Sequence, residues 1–186
     1  MKHFEQYQAP EHWGEITIDQ LIKLQSITEG GDIETTIKTV EIFNPDINVM
    51  GGDFSNLIQT ATAIYEVISK APTGTQPTNE YEIDGQKFNI MEAEKIDVSQ
   101  FIDVNALNEN ETEKIKNLPL IMSILTENRP TDDVKQWAQR IQENVSVSVA
   151  MGSLLFFSEN LEKYLKNTPY YFQIQKQIQT SENAKA

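Results

Sequence analysis

The stretch from residue 54 to 68 constrains this chain most. Phe54, Leu57, Ile58, Ala61, Ile64, Tyr65 and Ile68 recur at the spacing that gathers side chains on one side of an α-helix. The stripe runs for about four turns. Asp53, directly after Gly51-Gly52, can accept from the open amides of the first turn and so cap the helix. An isolated helix of this length is marginal in water, so the stripe must be shielded by other elements. It is expected to be core.

Neighbouring segments follow the same logic. Thr17 is a plausible cap for a helix carrying Ile18, Leu21, Ile22 and Leu24, stopped by Gly30-Gly31. Asp32 can cap a second helix with Ile33, Ile37, Val40 and Phe43, ended by Asn44-Pro45, because the residue before proline resists helical geometry. Residues 71–78 have the Pro, Thr and Gly content of a linker. In Tyr81–Ile90, two alternating runs flank Asp84-Gly85, a pair suited to the positive φ angles of a two-residue hairpin turn. A last helix is expected from about Ser148 to Lys166, with a face of Met151, Leu154, Leu155, Phe156 or Phe157, Leu161, Tyr164 and Leu165.

The second half echoes the first at an offset of 80 residues. Ile96, Gln100 and Ile102 match Ile16, Gln20 and Ile22, and Asp97 stands where Thr17 stood. The same offset carries Asp53 onto Asp133, and Phe54, Leu57, Ile58 and Ala61 onto Val134, Trp137, Ala138 and Ile141. Agreement in order across three elements points to a duplicated unit, forming a pair rather than a solenoid. The fold expected is mainly α: two similar helical repeats packed together, one small β-hairpin between them and a long C-terminal helix. The divisions are an N-terminal arm (1–14), repeat 1 (15–71), linker and hairpin (72–91), repeat 2 with the long helix (92–168) and a polar tail (169–186).

Charge narrows the partners. The chain has 15 Lys and Arg against 28 Asp and Glu, a net −13. Nucleic-acid binding needs clustered cations, whereas Arg129 and Arg140 stand alone and the lysines are scattered. Neither nucleic acid nor an anionic membrane is an expected partner. With no cysteine, thiolate catalysis, disulfide scaffolds and cysteine-ligated metals are excluded. The first residues lack a signal-peptide core, and no stretch nears the roughly 18 apolar residues that span a bilayer. A cytoplasm, or a particle assembled in one, is the expected compartment.

Catalytic chemistry finds little support. His3 and His12 lie in a stretch expected to be irregular, with no positioned nucleophile near them in sequence. Asp97, Asp103, Asp132 and Asp133 stand out among the carboxylates, but Asp53, Asp97 and Asp133 have a simpler use as helix caps, worth about 1 kcal/mol each. Asn108–Glu113 is acidic without the central glycine of a calcium loop and reads as a solvated loop. No catalytic residue, cofactor or metal ligand is assigned. Aromatic residues without an obvious core position are the candidate partner contacts: Phe156, and Tyr170, Tyr171 and Phe172 after the stop at Pro169.

Taken in order, Ile18-Asp-Gln-Leu-Ile-Lys-Leu-Gln-Ser-Ile27, the Tyr81–Phe88 hairpin, Val98-Ser-Gln-Phe-Ile-Asp-Val104, Leu120-Ile-Met-Ser-Ile-Leu125 before Arg129-Pro130, and Asn144-Val-Ser-Val-Ser-Val-Ala-Met-Gly-Ser-Leu-Leu-Phe-Phe157 form a pattern. It resembles small acidic proteins encoded among the structural genes of tailed bacteriophages, including tail assembly chaperone-like proteins and those of crAss-like phages. The resemblance covers residues 13–158. It implies a non-enzymatic role in phage morphogenesis or in the virion, with other phage structural proteins, including ones with a basic face, as partners, and host cytoplasm or virion as location. The alternatives are a bacterial adaptor or regulatory module unrelated to phage, and a hydrolase using paired carboxylates.

Overall fold

Polar side chains set where the helices begin. The computed structural model describes residues 1–3, 6–27, 32–70, 72, 75–109 and 113–167. Within them lie α1 (Ile18–Ser26), α2 (Ile33–Phe43), α3 (Phe54–Ile68), α4 (Val98–Glu109), α5 (Lys114–Leu125), α6 (Val134–Asn144) and α7 (Val147–Lys166). Two antiparallel hairpins accompany them: β1 (Lys2–His3) with β2 (Gln8–Ala9), and β3 (Glu80–Ile83) with β4 (Gln86–Asn89). Thr17 Oγ1 accepts from Gln20 N at 3.2 Å while Gln20 Oε1 accepts from Thr17 N at 2.9 Å, a reciprocal capping box. Asp97 and Gln100 form the same box before α4, at 2.8 and 3.1 Å. Asp32, Asp53, Asp133 and Ser146 cap α2, α3, α6 and α7. The glycine stop at 30–31 lies outside the described residues.

α1 and α4 begin with the same capping box and α3 and α6 with an aspartate cap, but α5 has no side-chain cap where α2 has Asp32, and the packing of the two halves differs. Ile18 and Leu21 of α1 are buried, whereas their counterparts on α4 are Val98, which is 76% exposed, and the half-buried Phe101. Ile102, opposite Ile22, is 59% exposed. The buried residues form two clusters. The first gathers Tyr7, Ile16, Leu21, Val40, Phe43, Leu57 and Ile64, and the second Tyr81, Phe88, Ile121, Met122, Leu125, Trp137 and Ile141. Each fully buried aliphatic side chain contributes about 1.5–3 kcal/mol. Three helices touch both clusters among the described residues: α1 gives Leu21 to the first and Ile18 to the second, α7 gives Val147 to the first and Ala150 to the second, and α5 packs Ile115 on the first and buries Leu118 in the second. Backbone bonds fix this seam, with Ile18 N donating to Val145 O at 3.1 Å and Val147 N to Ile16 O at 2.8 Å.

The stripe on α3 is only partly core. Leu57, Thr60, Ala61, Ala63, Ile64 and Val67 are buried, but Phe54 and Ile58 are 65% and 41% exposed, and Tyr65 is also exposed. The helix is rolled so that the small Thr60, Ala61 and Ala63 face the interior, which lets neighbouring backbone come close. Tyr65 keeps its ring outward with its hydroxyl 3.2 Å from Thr39 Oγ1 on α2.

Residues 1–14 were expected to be an irregular arm, yet Lys2 pairs with Ala9 and His3 with Gln8, and Tyr7 and Ala9 are buried. Asn44 secures this hairpin. Its buried amide accepts from Gln8 N at 2.8 Å and donates to Gln8 O at 3.0 Å and Val40 O at 2.9 Å. Tyr7 donates to Val49 O at 3.1 Å and lies over Gly52, where an added Cβ would come 1.5 Å from the phenol oxygen. That close approach, rather than a turn alone, requires glycine there.

The second hairpin turns through Asp84 (φ 53°) and Gly85 (φ 76°), both in the left-handed region. Its apolar face, Tyr81, Ile83 and Phe88, enters the second cluster beside α6. The chain leading into it crosses α7 at Gly152: Thr78 N donates to Gly152 O at 3.1 Å, and a Cβ on Gly152 would meet Gln76 O at 2.5 Å.

Candidate binding surface

The last helix carries four of the exposed large hydrophobic residues, Met151, Leu155, Tyr164 and Leu165. Phe156 and Phe157 both pack on the second cluster, Phe157 buried and Phe156 half-buried. They can do so because α7 sinks between neighbours along its first half, offering two sides to the core. Phe156, a candidate partner contact by sequence, thus has one part of its surface on the core and the rest open. Met151, Leu155, Tyr164 and Leu165, expected on the covered face, are exposed instead. Every residue from 162 to 167 is exposed. Tyr170, Tyr171 and Phe172, with the rest of 169–186, lie outside the described residues.

The seam between the clusters opens as a cleft of about 480 Å³. Leu21 of α1, Leu118 and Ile121 of α5, and Val147 and Leu154 of α7 form its aliphatic lining. Trp13, Met151, Lys114 and Lys116 stand around them, together with Gln25 and Asn108. Trp13 is held by a hydrogen bond from its indole nitrogen to Lys70 O at 2.7 Å. Sequence reading missed this cleft because its walls come from three segments more than 80 residues apart at the extremes.

The carboxylates singled out in the sequence stay apart. Asp53, Asp97 and Asp133 accept from backbone amides at helix starts, while Asp103 and Asp132 are exposed. Two carboxylates, Glu80 and Glu82, do share an open cleft with Lys87, and Glu80 pairs with Lys87 Nζ at 2.8 Å. His12 Nδ1 accepts from Gly14 N at 3.1 Å, and His3 is exposed on β1. Among the described residues no three His, Asp or Glu side chains converge as metal ligands, and no helix is long and apolar enough to cross a membrane. Burial alone would raise the Asp19 carboxyl, but hydrogen bonds from Lys23 and Gln142 pull it below its ordinary value. Glu15 is lowered likewise: its burial is outweighed by the Glu11 amide, the N-terminal ammonium and His12.

A buried polar relay fixes the second hairpin. The Trp137 indole donates to Tyr81 Oη at 2.9 Å, and Thr126 Oγ1 donates to Met122 O at 2.7 Å. With the single threonine proton placed there, Tyr81 donates to Thr126 Oγ1 at 2.6 Å. Burial pushes the Tyr81 phenol up, partly offset by Thr126 and Trp137. Phe88 meets the Trp137 ring edge-on with centroids 4.7 Å apart, and the Arg140 guanidinium lies 5.4 Å from that ring's centroid while pairing with Asp84. All these groups have structural partners, and the relay faces inward.

No protein-family model, curated protein or solved structure matches the chain.

Proposed function

We propose that the chain is a non-enzymatic bacteriophage morphogenesis or virion protein that binds other phage structural proteins through the outer end of α7 and the segment after it. One observation carries the reading. Tyr164 and Leu165 are exposed on the last turn of α7, five residues before Tyr170, Tyr171 and Phe172 in the sequence. A large apolar side chain held out on a rigid helix costs little entropy to dock, and aromatic anchors of this kind concentrate binding energy. The sequence pattern shared with small acidic proteins of tailed-phage structural genes supplies the setting: host cytoplasm during assembly, the virion, or both. The net charge of −13 favours a partner with a basic face and predicts association that slows as salt rises. Recurrence of helix order and capping boxes supports descent from a duplicated three-helix unit.

Affinity purification from phage-infected cells tests the proposal, comparing the full chain with one ending at Asn167 and with Tyr164→Ser/Leu165→Ser. Full-length protein should retain one or more phage structural proteins by mass spectrometry, and both variants should lose them while melting at the parent temperature. Equal recovery with all three would remove this end of the molecule from the mechanism.

A further inference from the structure

The outer edge of β3 is open to another strand, at a place separate from the α7 surface. β3 and β4 pair in the register Glu80–Asn89, Tyr81–Phe88, Glu82–Lys87 and Ile83–Gln86, and Ile90 N donates to Asn79 O at 2.7 Å. Bonded pairs alternate with unbonded ones in an antiparallel ladder, so the main-chain groups of Glu80 and Glu82 point away from β4. The outer edge of β4 is partly covered, since Asn89 O accepts from Glu127 N at 2.9 Å. On β3, Thr78 Oγ1 covers Glu80, donating to its carbonyl at 3.0 Å and accepting from its amide at 3.4 Å. Glu82 differs. Among the described residues its N–H, its C=O and its carboxylate have no hydrogen-bond partner. Those groups are the ones an added strand would use.

Glu82 lines an open cleft of about 410 Å³ between β3 and the junction of α6 with α7. The charge there suits a cation. Lys87 is engaged by Glu80 at 2.8 Å and gives Glu82 only a longer-range attraction. Across the cleft stands Asn144, the last residue of α6, where the end carbonyls of a helix carry partial negative charge. A second copy of the chain adding edge to edge would set Glu82 against another acidic strand, and like charges in register repel. We propose that β3 accepts an extended basic segment of a partner polypeptide by strand addition, with main-chain bonds to the Glu82 N–H and C=O and a Lys or Arg side chain at the Glu82 carboxylate.

The probe is the peptide acetyl-Lys-Val-Lys-Val-Lys-amide, titrated into the full chain. Calorimetry should show saturable one-site binding, and hydrogen exchange at the Glu82 amide should slow about tenfold or more at saturation. The counterpart with Glu for Lys should bind about tenfold or more weaker, and Glu82→Lys should reverse that preference. N-methylation of one alternating set of peptide amides should abolish binding, while methylation of the other set should leave affinity within about threefold. Glu82→Pro removes the outward N–H without cutting a bond to β4 and should also abolish binding; the methylated peptides carry the same test if that variant does not fold. Absence of saturable binding, equal loss with both methylated sets or equal affinity for the acidic peptide would overturn the proposal. So would a Glu82-dependent dimer, or a gain in affinity of about tenfold on truncation at Asn167, which would put a second copy or the chain's own end at the edge.

Discussion

Replacing Tyr81 with phenylalanine removes one oxygen from the relay Trp137–Tyr81–Thr126–Met122 and nothing else. The ring can stay stacked on Phe88, whose centroid is 5.6 Å away. Two hydrogen bonds are lost, those of 2.9 and 2.6 Å. The costlier loss is at Trp137, which is 0% exposed and would be left with an indole N–H in an apolar interior. An unpaired buried donor costs about 1–3 kcal/mol. Thr126 still donates to Met122 O, so its lost acceptance adds only about 0.5–1 kcal/mol. The total, roughly 1.5–4 kcal/mol, should appear as a lower urea midpoint at unchanged slope, followed by tryptophan emission, and as a drop of about 3–16 °C in melting temperature. Thr126→Val keeps the shape and removes the far end of the relay. Because the two residues share a bond, the double variant should cost less than the sum of the singles by about 0.5 kcal/mol or more. A loss below about 0.5 kcal/mol for Tyr81→Phe, or strict additivity, would refute the directed relay.

Three further outcomes follow from burial and charge. Leu57→Ala should cost about 2–5 kcal/mol in a urea melt, while Ile58→Ala, one residue along and 41% exposed, should cost under about 1 kcal/mol; equal losses would mean the roll of α3 is wrong. Thr60 is fully buried and its hydroxyl has no hydrogen-bond partner among the described residues, so Thr60→Val should stabilise by about 1 kcal/mol, and a destabilised variant would contradict that environment. Glu15 and Asp19 have lowered folded-state values, so the stability they contribute is complete above the ordinary carboxylate range and is lost as pH falls through their folded values. Below about pH 4 the melting temperature of the parent should therefore drop more than that of Glu15→Gln/Asp19→Asn.

Local signals were the legible part of this fold. Thr17, Asp32 and Asp53 cap the helices they precede, Pro45 follows the end of α2, and Asp84-Gly85 makes the hairpin turn, because each effect acts within a few residues. Faces were less legible. Periodicity marked a wide arc on α3 and α7, but which part of it is covered depends on neighbours distant in sequence: on α7 the chain at Gln76 passes close over Gly152, and on α3 the small Thr60 and Ala61 are buried while Ile58 is exposed. The arm was unreadable for the same reason: its hairpin depends on Asn44 and Gly52, whose partners are some 40 residues away. Ile18 and Val98, matched by the 80-residue offset, differ in burial because α1 bridges both clusters and α4 leaves Val98 in solvent. The cleft had no linear signature at all.

The binding role itself is tested most directly by a photo-cross-linking side chain placed at Tyr164 of the full chain in phage-infected cells, with the same group at exposed Ser55 on α3 as the control. The account predicts one discrete adduct from position 164, identified by mass spectrometry as a phage structural protein, and none from position 55. Adducts of equal yield from both positions, or none from position 164 at any stage of infection, would contradict it.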